Sequence, residues 1–235
     1  MQTMRARWVL IVPTLVAATA AGLVYTGTVR VPDRWNPWAP LAIAEPPNFL
    51  TRYKLSRLDH DADLCRQVVA QSAFRYEWLP DRSSAPGCVV SNALRIDATS
   101  VTIGAPVTMS CRSAVALALW ERHVLQPQAL AHFGTRVERL RHLGSYACRN
   151  IAGRDDGRRS QHATADALDI AGFALADRRE FRVVSDWSTN GAAGRFLRDV
   201  HAGACRFFDA VLGPDYNAAH RDHLHFDRGA YRACR

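Results

Sequence analysis

From Trp8 to Val29 the chain carries no charged side chain, with Arg5 and Arg7 before the run and Arg30 after it. About twenty apolar residues suffice for a membrane-spanning helix, so the rest of the chain is expected to fold as a separate object. A cleaved signal peptide is the other reading, because Ala18-Thr19-Ala20 resembles a small-residue cleavage site. The apolar character nevertheless continues through Leu23, Val24 and Tyr25. Either way the remainder is exported, since Arg5 and Arg7 favour a cytoplasmic N-terminus.

The cysteines agree with export. All six, Cys65, Cys88, Cys111, Cys148, Cys205 and Cys234, follow the apolar run, and none forms a C-x-x-C pair. That argues against a zinc ribbon and for disulfides in an oxidising compartment. Six cysteines allow about fifteen pairings. Order and spacing favour Cys65–Cys88, Cys111–Cys148 and Cys205–Cys234.

Residues 1–30 are thus read as an anchor or signal peptide. Residues 31–59 read as a linker, because Pro32, Pro37, Pro40, Pro46 and Pro47 interrupt every periodic pattern. Residues 60–235 form the folded domain, and 48% hydrophobic composition is enough for one substantial core. Trp35 and Trp38 suit a membrane interface.

Within the domain, His60 to Ala73 allows a helix, Pro80 to Gly87 reads as a loop, and Val89–Ile103 as two short strands. Ser110–Ser113 opens a helix to Val124. Pro127 starts the next, which is expected to end near Leu143-Gly144. Ser145–Arg149 should be a strand, and Arg154–Ser160 a polar loop at a cleft edge. A strand over Ile170–Phe173, a turn at Ala176–Arg179 and a paired strand from Phe181 make a hairpin. Gly191–Leu212 reads as one long helix. Ala218–Phe226 reads as the last strand, with His223, His225 and Asp227 on one face and Asp222, Leu224 and Phe226 on the other. The fold class expected is α+β: a small, mainly antiparallel sheet with flanking helices.

Two stretches carry chemistry. Ser160–Asp169 offers His162 and Asp169, seven apart, with small residues between. His220-Arg221-Asp222-His223-Leu224-His225 packs three of the nine histidines into six positions. Imidazole and carboxylate are ligands of a catalytic zinc, which takes three from protein and leaves one position for water. A metal-hydrolase site drawing on both stretches follows.

S-x-H-x-x-x-x-A-x-D followed by H-x-x-H-x-H resembles zinc peptidases that act on bacterial cell-wall peptides: D-Ala-D-Ala carboxypeptidases, murein endopeptidases and lysostaphin-type enzymes. With Gly144-Ser145-Tyr146-Ala147-Cys148-Arg149 added, residues 60–235 resemble the bacterial extensin-like C-terminal domain family. The resemblance implies a zinc-peptidase-type fold with His162, Asp169 and His225 as zinc ligands and His223 as general base. His220 matches a third histidine of the endopeptidase branch. Asp222 stands where the carboxypeptidase branch has its acidic base, and could instead orient a ligand imidazole. Arg149 matches an arginine that holds a substrate carboxylate or the oxyanion; a salt bridge to a loop aspartate is its structural alternative. Ala165 replaces a usual glycine, so that turn must tolerate a Cβ, and Asp166 is expected at the surface.

The implied function is an exported zinc-dependent peptidase acting on peptidoglycan peptides. It would sit in the inner membrane by one span with its domain in the periplasm, or free there after cleavage. The alternative is a non-catalytic peptidoglycan-binding or scaffolding module on the same fold. A net charge of +8 suits attraction to anionic wall polymers or headgroups. Nucleic acid is not indicated, because the arginines are dispersed and no basic-aromatic module occurs.

Overall fold

The structure, a computed structural model, describes the backbone of residues 2–235 and the side chains of residues 11–151 and 153–235. The chain divides into two compact units, Met1–Ala39 and Pro40–Arg235.

The first unit holds helix α1, Gln2–Tyr25, and a single 3-10 turn, Asp33–Trp35. Gly27, at φ +71°, turns the chain out of the helix, a conformation that glycine adopts without steric cost. Among the described residues no helix is long and apolar enough to cross a membrane. The anchor expected over residues 1–30 rests in part on the side chains of residues 8–10, which lie outside the described residues.

The second unit begins inside the stretch read as a linker. Leu41, Ile43, Leu55 and Leu58 are buried in the main core, and residues 51–57 form α2, Thr51–Arg57. The prolines break periodicity without preventing burial. Helix α3, Ala62–Val69, follows, and the Asp61 side chain caps it by accepting from the Leu64 amide. Five strands come next: β1 Arg75–Leu79, β2 Arg82–Ala85, β3 Cys88–Val90, β4 Ala93–Ala98 and β5 Thr102–Ser110. The Ser110 hydroxyl caps α4, Cys111–Trp120, as expected.

Pro127 has no N–H and would crowd the carbonyl of His123 in an uninterrupted α-helix. The chain there widens into a π turn, Glu121–Leu125, before α5, Gln126–Phe133. Gly134, at φ +69°, then caps α5. Val137–Gly144, expected as the end of that helix, is strand β6. Ser145–Arg149, expected as a strand, has no regular structure.

The hairpin falls as read: β7 Ala167–Leu175 and β8 Glu180–Arg182 pair around a turn at residues 176–179. After the short helix α6, Val183–Asp186, the long helix expected to Leu212 stops earlier. It is α7, Ala192–Ala204, and Ala210–Leu212 is strand β9. The final strand β10, Leu224–Asp227, begins after His223, with a 3-10 turn, Ala218–His220, before it. Strand β11 is Ala233–Cys234.

The sheet is larger than expected, nine strands in the order β1-β4-β5-β6-β7-β10-β9-β11 with β8 beside β7. Its pairings are antiparallel except β5–β6 and β9–β11. Trp120 of α4 packs against Phe173 and Phe226 and donates from Nε1 to the Val200 carbonyl of α7 at 2.9 Å. Leu168, Ile170, Leu224 and Phe226 belong to the same core. Strand alternation then turns Asp169, His225 and Asp227 to the other face.

The disulfides are Cys65–Cys111, Cys88–Cys148 and Cys205–Cys234. Only the last matches the pairing expected from order and spacing. The first staples α3 to α4, and the second ties the β2–β3 hairpin to the segment before Arg149.

A candidate metal centre on the open face of the sheet

Register builds the site. In the antiparallel β7–β10 pair, His225 lies directly opposite Asp169 and Leu224 opposite Ile170. Opposed residues share a face, so one register presents an imidazole and a carboxylate together on one side and closes the core on the other. His225 Nδ1 stands 2.8 Å from Asp169 Oδ1.

His162 arrives from a different element. Residues 161–164 form a 3-10 turn capped by Ser160, whose hydroxyl accepts from the His162 amide. Ala165 then takes a left-handed conformation, φ +58°. Its Cβ is accommodated against Val90 and Ala93. Asp166, expected at the surface, is buried. Its carboxylate accepts from Arg112 through Nε and Nη2, both at 2.8 Å, from Ser110 Oγ at 2.5 Å and from Thr164 Oγ1 at 2.7 Å. Its carbonyl accepts from the Arg228 amide at 3.0 Å. The carboxylate therefore bolts the loop between the two ligands to the start of α4.

Tautomers can be assigned by chemistry. The Ser145 carbonyl only accepts, so its short contact with His162 Nδ1 places a proton on that nitrogen. Asp227 Oδ2, 2.9 Å from His225 Nε2, does the same for the second ring. Each imidazole is thereby left with one nitrogen to offer, His162 Nε2 and His225 Nδ1, and these stand 3.3 Å apart. Asp169 Oδ2 is 3.2 Å from His162 Nε2. All three donor atoms lie within 4.8 Å of one another. Nitrogen and oxygen ligands about 2.0–2.1 Å from a tetrahedral zinc stand about 3.3 Å apart, so the donor set fits that ion. Electron-rich atoms this close together call for a cation.

The electrostatics agree. Burial alone would push the Asp169 carboxyl up, yet His162 and His225, when their free nitrogens take up a proton and donate it to Asp169, hold it well below the usual carboxylate range. Burial opposes charge on His225, but Asp169 and Asp227 overcome it and push its pKa up to about 9. The site favours positive charge.

The remaining expected residues gather around this centre. His223 Nδ1 is 2.9 Å from Asp222 Oδ1, which turns Nε2 towards Asp169 Oδ1 at 3.5 Å. His223 reaches the centre from the turn before β10, not from the strand face expected of it. Asp222 is half exposed, and its hydrogen bond from His223 lowers its pKa; it orients His223 instead of reaching the donors. His220 Nδ1 is 2.8 Å from Asn217 Oδ1, and its ring lies 5.2 Å from that of His223. Burial first, then the neighbouring His225 and His223, bring its pKa down to about 4. Arg149 lines the same cleft, of about 600 Å³, with Arg158, Tyr216 and Tyr231 at its walls. The salt bridge weighed for Arg149 is absent among the described residues.

Asp227 and Asp166 carry the site without having been assigned to it from sequence. A signal existed for the first: Asp227 lies two residues after His225, hence on the same strand face.

The model of the extensin-like protein C-terminus matches residues 63–235. No curated protein and no solved structure matches the chain. Residues 63–235 include every donor and every cleft residue described above, and the chain belongs to the extensin-like C-terminal family.

Proposed function

We propose that the protein is an exported zinc-dependent peptidase acting on peptide bonds of peptidoglycan, related to the D-Ala-D-Ala carboxypeptidase, murein endopeptidase and lysostaphin-type enzymes. One observation carries the reading: His162 Nε2, Asp169 and His225 Nδ1 converge in a cleft while the far nitrogen of each ring is committed elsewhere. Bound zinc supplies Lewis acidity and lowers the pKa of water towards about 7.

The chain's own residues do the rest. His223, with Nδ1 held by Asp222, accepts or returns a proton at Nε2. His220, kept neutral by its surroundings, offers a hydrogen-bonding edge beside it. Arg149 holds a substrate carboxylate or the developing oxyanion through its planar donor fork. Export follows the charge-free run Trp8–Val29, with the domain in the periplasm behind an inner-membrane anchor.

Purified muropeptides incubated with the protein, with and without a chelator, and read by mass spectrometry test the reading. Chelator-sensitive products are expected. Zinc-loaded protein that binds muropeptides and releases no product would make it a wall-binding module instead.

A further inference from the structure

The segment between Arg149 and Ser160 folds back on itself as a narrow arm at the cleft edge. Asn150 and Arg159 form an antiparallel bridge. The Ile151 amide donates to the Arg158 carbonyl at 3.0 Å, and the Ser160 amide to the Arg149 carbonyl at 3.1 Å. Opposed residues share a face, so Arg149, Ile151, Arg158 and Ser160 lie on one side and Asn150 and Arg159 on the other. All four of the first set line the cleft that holds the donors, and Arg159 borders it as well.

The other face fixes the arm. Arg159 Nη1 donates to Asn150 Oδ1 at 3.0 Å, and its Nε to the Pro86 carbonyl at 2.9 Å. A Cβ at Gly87 would meet the Arg159 side chain at 2.8 Å, so a glycine lets the two segments close. One residue further on, Cys88 is bonded to Cys148, next to Arg149. Arg149 and Arg158 themselves are exposed, and neither has a carboxylate partner among the described residues. A braced arm thus presents two uncommitted guanidiniums to the cleft. As diagonal neighbours of a ladder they are separated by about 7–8 Å, and by somewhat less at Cβ, which long arginine arms can close onto one residue.

We propose that Arg158 pairs with Arg149 as a two-guanidinium subsite, which makes the substrate an acidic peptide presenting two nearby carboxylates. The peptidase reading is the frame for this inference. A guanidinium takes a carboxylate in a bidentate, charge-assisted pair. A C-terminal acidic residue supplies two such groups.

The test uses the full-length, zinc-loaded chain and three probes: N-acetyl-Ala-Glu with two carboxylates, N-acetyl-Ala-Gln with one, and N-acetyl-Ala-Gln amide with none. Calorimetric titration gives the affinities, and mass spectrometry of the same samples gives any cleavage. Each carboxylate is expected to tighten binding about tenfold at low salt, with smaller steps at high salt. Arg158→Gln should remove one step and leave the amide probe unchanged, and Arg158→Lys should restore part of it. Arg154→Gln, on the same arm but outside the cleft lining, should change none of the three.

Equal affinities for all three probes, no saturable binding of any, a uniform shift in Arg158→Gln, or Arg154→Gln behaving like Arg158→Gln would overturn the proposal. The two readings fail separately. Affinity steps without cleavage of any peptide leave the subsite standing and count against the peptidase. Cleavage without affinity steps does the reverse.

Discussion

Asp227 accepts the Nε2 proton of His225 at 2.9 Å and the Gly229 amide at 2.9 Å, which decides the nitrogen that ring can offer. Removing such a partner of a metal-binding histidine typically costs about 10–100-fold in metal affinity. Asp227→Ala should therefore weaken zinc binding by that factor, read by competition with a chelator of known affinity, while Asp222→Ala leaves it unchanged. Equal affinity in Asp227→Ala would mean the ring needs no such support. His223→Ala should keep zinc and lose turnover by roughly two to four orders of magnitude, the usual reach of general acid–base catalysis. Turnover that survives it would move the proton to another group, with His220 next in line. Imidazole and carboxylate in those two stretches were legible as ligand chemistry, whereas the choice of His162, Asp169 and His225 among them came from the family resemblance. Asp166 was not. A carboxylate between two small residues looks solvated until Arg112, more than fifty positions earlier, is seen to reach it.

At the scale of elements, the π turn holds a buried carboxyl that is only half satisfied. Glu121 is fully buried there; Oε2 accepts from the Ser100 amide at 3.0 Å and from the Ser100 hydroxyl, while Oε1 has no partner among the described residues. Burial pushes its pKa from 4.5 to about 7. A carboxyl whose folded pKa is raised binds its proton more tightly folded than unfolded, so stability falls as pH rises from about 4.5 through 7 and is flat above. At about 1.36 kcal/mol per pKa unit the loss is roughly 3 kcal/mol. Urea unfolding of wild type and Glu121→Gln at pH 5 and pH 8 should show wild type losing about that much relative to the variant. Parallel pH profiles would mean that Glu121 is not the group responsible. Elements were legible where a local signal ends them, as Ser110 starts α4 and the turn at 176–179 joins β7 to β8. They were misread where long-range pairing decides. Leu140 and Leu143 fit a helical spacing, and Phe207, Phe208 and Val211 extend that of α7. Pairing of Val137–Gly144 with β7, and of Ala210–Leu212 with β10, overrides both.

Across the whole molecule the disulfides show what spacing alone cannot choose. Cys65 and Cys111 meet because α3 packs on α4. Cys88 and Cys148 meet because the β2–β3 hairpin lies beside the arm, sixty residues further on. Closing a loop of that length removes about 4 kcal/mol of unfolded-state entropy in the chain model, within the usual 2–5 kcal/mol for a native bridge. A non-reducing digest should recover linked peptides for Cys65–Cys111, Cys88–Cys148 and Cys205–Cys234; any other linkage would break the arrangement described here. Replacing Cys88 and Cys148 together by serine avoids a free thiol and should lower stability by about that 4 kcal/mol. The donors do not depend on this bridge, since His162 and Asp169 are held through Ser145, Asp166 and β7. Zinc stoichiometry should therefore be unchanged in the double variant, whereas Arg149 and Arg158 lose the brace of their arm and the affinity steps for carboxylate probes should shrink. Loss of zinc together with stability would instead show that the bridge supports the metal centre itself, and that arm and centre form one cooperative unit.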